Sequence, residues 1–146
     1  MRDLRARDHD DLLQLACARL ARLRDQGTTT VEIKSGYGLS LESELTMLRV
    51  AGEAAARVGV RVVRTCLAAH EVPDEYRERR GAYVDLVCEE VLPRVVEENL
   101  AERCDVFCEP SVFDLDESRR ILVRARDLGL GLTVHADELE PMGGAR

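Results

Sequence analysis

The sequence predicts an α/β protein, a partial (β/α)8 TIM barrel with about four parallel strands and flanking helices. Three observations predict it. Helix and strand patterns alternate along the chain. The strand patterns are mostly apolar rather than two-fold alternating, which is how parallel strands covered by helices read. Each strand also ends, at its C-terminal side, in residues able to carry chemistry, and barrel active sites are built from the loops after several strands.

Asp8 to Asp25 carries Leu12, Leu13, Ala16 and Leu20 at helical spacing, and Gln26-Gly27 stops it. "TTTVEIK" (Thr28 to Lys34) is short and rich in β-branched residues, so it is the first strand. "SGYGLS" turns the chain, with Ser40 as N-cap of the next helix. Glu42 and Glu44 fall in its first turn, where the helix dipole favours acids. Leu41, Leu45, Leu48, Ala51 and Ala55 give this helix its apolar stripe, and Gly59 ends it. "VRVVRTCLAA" (Val60 to Ala69) is the second strand and delivers His70 at its end.

After the irregular "EVPDEYRERRG" a helix is expected from about Ala82. Pro93 is expected to break or kink it and to start a second helix at its own position. "CDVFCE" (Cys104 to Glu109) is the third strand. Asp114 and Glu117 form a D-x-x-E capping pattern for a helix through Leu128, closed by Gly129. "GLTVH" (Gly131 to His135) is the fourth strand.

An open doubly wound sheet would also fit the alternation, but no G-x-G-x-x-G follows any strand. The strand ends instead offer Lys34-Ser35-Gly36-Tyr37, His70, Glu109, and His135 with Asp137 and Glu138. A full barrel takes about 200 residues or more. The 146 residues here are therefore expected to be one partial domain, 1–146, the central part of a barrel truncated at both ends.

Composition narrows the function classes. A net charge of −7, with acids and bases interspersed, excludes a basic nucleic-acid footprint. No apolar run approaches a membrane span, and no signal-peptide core follows Met1. The five cysteines contain no C-x-x-C and are odd in number, so they read as buried thiols in a reducing, cytoplasmic setting. A homo-oligomer stays open.

Among the candidate residues, His9 sits in a charged run and is given no role. His70 and His135, taken singly, each also fit a hydrogen-bonded structural histidine. Their shared placement at strand ends brings them to one cavity of a barrel, where neutral imidazole is the commonest metal ligand. Tyr37, between Gly36 and Gly38, presents a phenol on a tightly bent loop. Glu138 can reach the space above the His135 strand end and could protonate a substrate nitrogen. Asp137 reads as a loop brace, and Cys104 and Cys108 as packing.

The runs "VEIKSGYGL", "AAHEVPDEY", "YVDLVCEEVLP", "CDVFCEPSVF" and "VHADELEPMGGA" resemble the imidazolonepropionase family of metal-dependent amidohydrolases, in that family's order. The resemblance runs from about Thr28 to Arg146. It implies a barrel hydrolase that opens the cyclic amide of 4-imidazolone-5-propanoate to N-formimino-L-glutamate in histidine degradation, using zinc or iron. It makes His135 a metal ligand, Tyr37 and His70 substrate contacts, and Glu138 the catalytic acid that engages the ring. The family's H-x-H metal pair has no match here, since His9 is followed by Asp10-Asp11. Its metal-binding aspartate is expected beyond Arg146, so the chain alone is expected to be inactive. Two alternatives are another metal-dependent cyclic amidohydrolase and a non-catalytic α/β module that binds a partner through an open sheet edge.

Overall fold

A computed structural model describes residues 1–144. Its elements are α1 (Arg2–Arg5), α2 (His9–Asp25), β1 (Thr30–Lys34), α3 (Leu41–Val58) and β2 (Arg61–Ala69). A 3-10 turn (Asp74–Arg79) leads into α4 (Arg80–Leu86), a π-helical turn (Val87–Val91) and α5 (Leu92–Glu97). Then come β3 (Arg103–Cys108), α6 (Leu115–Asp127), β4 (Gly131–Leu132) and β5 (His135–Ala136). Ala145 and Arg146, the end of the last motif run, lie outside the described residues.

The strands lie in chain order, β1-β2-β3-β4, and every pairing is parallel. Alternate residues of each strand face two different environments. Val31, Ile33 and Val62 pack with Leu13, Leu20 and Ala54 of α2 and α3. Cys66, Ala68, Cys104 and Val106 join the larger core, with Leu45, Leu48, Val84, Leu92 and Ile121 from the helices. Each fully buried Leu contributes roughly 2 kcal/mol through the apolar surface it removes from water. The opposite face carries Glu32, Lys34, Thr65 and Asp105, which bond one another: Thr65 Oγ donates to Glu32 at 2.6 Å, and Lys34 Nζ lies 2.6 Å from Asp105. Parallel strands in chain order, with helices packed over one face, make this a section of a (β/α)8 barrel.

Several boundaries differ from the sequence expectation, each for a local reason. β1 begins at Thr30 rather than Thr28, because Gly27 (φ 96°) and the residues after it are spent leaving α2, with Thr28 N donating back to Leu23 O. The expected fourth strand is two pieces, β4 and β5. Both pair with β3 in one register, Cys104 with Leu132 and Phe107 with His135. Between them Thr133 donates its N–H to Cys104 O at 2.9 Å, so the path stays parallel while the regular ladder lapses. The helix expected from Ala82 begins at Arg80, led in by the 3-10 turn.

Pro93 neither breaks that helix nor starts one at its own position. α5 starts one residue earlier, and Leu92 N–H reaches back five residues to Val87 O. The wider π turn makes room for a ring that lacks an N–H and would crowd the preceding turn. Tyr83 on α4 donates its phenol to Ala68 O at 2.8 Å, and burial pushes that phenol up, so it stays a donor. α6 carries the expected capping box, Asp114 accepting from Glu117 N while Glu117 accepts from Asp114 N. Each half of such a box contributes about 1 kcal/mol. Among the described residues no helix is long and apolar enough to cross a membrane.

Candidate active site

The C-terminal ends of β1, β2 and β3, with β5, enclose a hollow of about 270 Å³ lined by residues that include Tyr37, Leu67, His70, Phe107, His135 and Glu138. All four residues singled out from the sequence thus meet at one end of the sheet. Larger hollows of about 460 and 530 Å³ lie elsewhere, but neither brings an imidazole together with Glu138. Chemistry, and not volume, picks the site.

The loop after β1 presents Tyr37. Gly36 (φ 101°) crosses so close to β2 that a Cβ there would sit 2.5 Å from Leu67 O, which only glycine avoids. Leu39 is also left-handed (φ 53°), a conformation that costs a branched residue about 1–2 kcal/mol. Beneath the loop the fully buried Glu44 accepts the N–H groups of Gly36, Gly38 and Leu39 at 2.9, 2.9 and 2.8 Å. The sequence assigns Glu44 to the helix dipole; the structure turns it inward to hold this loop. Ser40 is the N-cap residue, yet its side chain makes no capping bond. Arg5 closes the loop from outside by donating to the carbonyls of Gly38 and Leu39.

Tyr37 stays 47% exposed, its ring 5.0 Å from the His70 ring and tilted 70° to it. His70 Nδ1 lies 2.8 Å from Gly36 O, and since a carbonyl only accepts, Nδ1 carries the hydrogen. Nε2 is the nitrogen left for a ligand. The Phe107 ring stands 6.1 Å from His70 and supplies an apolar wall.

Asp105 joins the two sides of the hollow, and nothing in the motif analysis singles it out. It is fully buried on the interior face of β3, 2.6 Å from Lys34 Nζ and 2.9 Å from His135 Nδ1. Burial pulls the Lys34 ammonium down, but Asp105 and Glu32 more than offset this, and its pKa is raised. The Asp105 oxygen lies off the line of the His135 N–H, so that buried nitrogen has a charged neighbour without a formed hydrogen bond. With Nδ1 turned to Asp105, Nε2 remains to bind. The signal in the sequence was an acid flanked by the apolar Cys104 and Val106 in the middle of a strand.

Glu138 follows β5 on an exposed loop. Asp137 is left-handed (φ 59°) and accepts the N–H groups of Met142 and Gly143 at 2.7 and 2.8 Å, bracing the loop as expected. From below, the fully buried Glu109 accepts the N–H groups of Glu138, Leu139 and Glu140. Burial raises the Glu109 carboxyl, but these three donors outweigh it and hold its pKa below the usual glutamate range. His9 takes no part in the site: it opens α2 beside Glu53 and Asp10.

His135 fits one ligand position of a metal centre by its imidazole chemistry and by its buried Nδ1 facing Asp105 at 2.9 Å, which leaves Nε2 toward the hollow. Among the described residues, however, no three His, Cys, Asp or Glu side chains converge on a point that could hold an ion.

Two imidazoles, a phenol and a carboxylate stand around one hollow at the C-terminal ends of parallel strands, the end of a (β/α)8 barrel where active sites are built. No family model matches the chain. Curated relatives do. The chain is 56% identical over 146 residues to the imidazolonepropionase of Symbiobacterium thermophilum, covering 99% of this chain and 34% of that protein. It is 49% identical over 141 residues to the imidazolonepropionase of Shewanella halifaxensis, covering 97% of this chain and 35% of that one. With that of Clostridium tetani the identity is 46% over 145 residues, again 99% of this chain and 35% of the relative. Over nearly its whole length the chain is similar to proteins named imidazolonepropionase, and it spans about a third of the length of the curated relatives it matches.

Proposed function

We propose that the chain is the central part of the barrel of an imidazolonepropionase, which hydrolyses the cyclic amide C–N bond of 4-imidazolone-5-propanoate to N-formimino-L-glutamate. The observation that carries this is the meeting of Tyr37, His70, His135 and Glu138 around one hollow, in a chain 46–56% identical to proteins of that name. The hollow is small and lined mostly by polar side chains, with Leu67 and Phe107 as its apolar walls, which suits a five-membered ring with a short acid side chain.

Tyr37 and the free Nε2 of His70 hydrogen-bond the substrate and fix the ring against Phe107. In the overall hydrolysis, the oxygen of water goes to the ring carbonyl carbon, which leaves as a carboxylate. The C–N bond breaks, and the nitrogen keeps the electron pair and needs a proton. Glu138, at the lip of the hollow, is the group placed to deliver it. His135 would hold one coordination position of a zinc or iron ion, which when bound would supply Lewis acidity toward the ring carbonyl. Asp105 stands behind the His135 ring, 2.9 Å from Nδ1, and pairs with Lys34 at 2.6 Å.

A chimera tests the proposal. Residues 1–146 replace the matching segment of the Symbiobacterium thermophilum protein, and formation of N-formimino-L-glutamate is followed. The expected result is turnover within about tenfold of the parent, since both shells of a site must be kept for that. A folded, metal-loaded chimera without turnover would overturn it.

A further inference from the structure

We propose that Glu109 is a positioning residue, whose buried carboxylate sets the backbone from which Glu138 reaches the substrate; this rests on the role given to Glu138 above. Glu109 directly follows β3 and is fully buried. Its Oε1 accepts from Glu138 N at 2.7 Å and Leu139 N at 3.1 Å, and its Oε2 accepts from Glu140 N at 3.2 Å. Among the described residues no cation pairs with it. Burying a carboxylate without a counter-charge is costly unless hydrogen bonds replace its water. Three successive backbone N–H groups do so, in the manner of an anion-binding nest.

The nest is fixed at both ends. Glu109's own backbone is locked, its N–H donating to Phe113 O at 3.0 Å and its carbonyl accepting from Val112 N at 2.9 Å. On the loop, the left-handed Asp137 stands immediately before Glu138 and ties its carboxylate to Met142 and Gly143. The hydrogen bond of Glu109 to Glu138 is made to its backbone N–H, and the Glu138 side chain lines the hollow. The Tyr37 loop repeats the device. There a left-handed Leu39 and three N–H groups sit over the buried Glu44. A strained residue and a buried carboxylate beneath each site loop hold both in shape before any ligand arrives.

The test uses the full-length, metal-loaded protein carrying this segment, with Glu109→Gln, Glu138→Gln and the double variant. Glutamine keeps one accepting oxygen but turns an NH2 group against the third backbone N–H. Amide hydrogen exchange across residues 138–140 should rise in Glu109→Gln, and kcat should fall about 10²-fold, the cost of a misplaced catalytic group. Bound metal should stay at the parent level. In the Glu138→Gln background, Glu109→Gln should cost nothing further, because the group it positions is already gone. An equal loss in both backgrounds would make Glu109 merely structural and overturn the proposal, as would unchanged kcat with a loosened loop. Unchanged kcat in Glu138→Gln alone would instead bring down the role of Glu138. Should Glu109→Gln not fold, Glu109→Asp keeps the charge and withdraws it by one methylene. It should then show the same exchange increase and the same dependence on Glu138, and overturns the proposal if it does not.

Discussion

Glu138→Gln in the full-length enzyme carrying this segment should lower kcat by about 10²–10⁴-fold, the usual range for a general acid, while bound metal stays near the parent level. The structure makes this substitution clean. The link from Glu138 to the buried Glu109 runs through its backbone N–H, which glutamine keeps. The loop is also held by Asp137 and by the N–H groups of Leu139 and Glu140, none of which changes. What glutamine removes is the carboxyl group at the lip of the hollow, which the proposed proton transfer requires. If Glu138 only filled space there, glutamine would preserve nearly all the rate. A kcat within a few-fold of the parent would therefore remove Glu138 from the chemistry, and loss of metal in this variant would make it a ligand.

His135→Ala should show the opposite order of events, with metal lost first and activity as a consequence. Removing even an outer partner of a metal ligand costs about 10–100-fold in metal affinity, so removing the imidazole itself should cost at least that. The buried Asp105 would then face an empty space on one side, paired only with Lys34. Lys34 stands at 2.6 Å and keeps that carboxylate compensated, so the fold should survive. Metal content per chain after desalting, measured beside kcat, checks this. A variant that keeps its metal and loses only turnover would reassign His135 to substrate binding.

The sequence made the strand ends legible because barrel chemistry is local there. A polar residue closing an apolar run, as His70 closes "VRVVRTCLAA", is visible without coordinates. The supports of those residues were not legible. Glu44 sits at a first-turn helix position where any acid is welcome, so its inward turn beneath Gly36, Gly38 and Leu39 leaves no trace in spacing. Glu109 closes a strand like a site residue but spends both oxygens on backbone N–H groups about 30 positions away. The Asp105 contacts are likewise long-range, to Lys34 and His135 on separate elements. Pro93 shows the converse, a strong local signal overridden by packing. Leu92, Val91 and Val95 are fully buried on one helical stretch, and a π turn keeps that stretch continuous through the proline.

The most direct measurement is a crystal structure of the full-length, metal-loaded protein with imidazole-4-propanoate, which keeps the ring and acid of the substrate but has no carbonyl to hydrolyse. The ring should lie in the hollow between Tyr37, His70 and Phe107, with Glu138 within hydrogen-bond distance of a ring nitrogen and the metal on His135. A ring bound elsewhere with that hollow unfilled, or a metal that does not touch His135, would contradict the account.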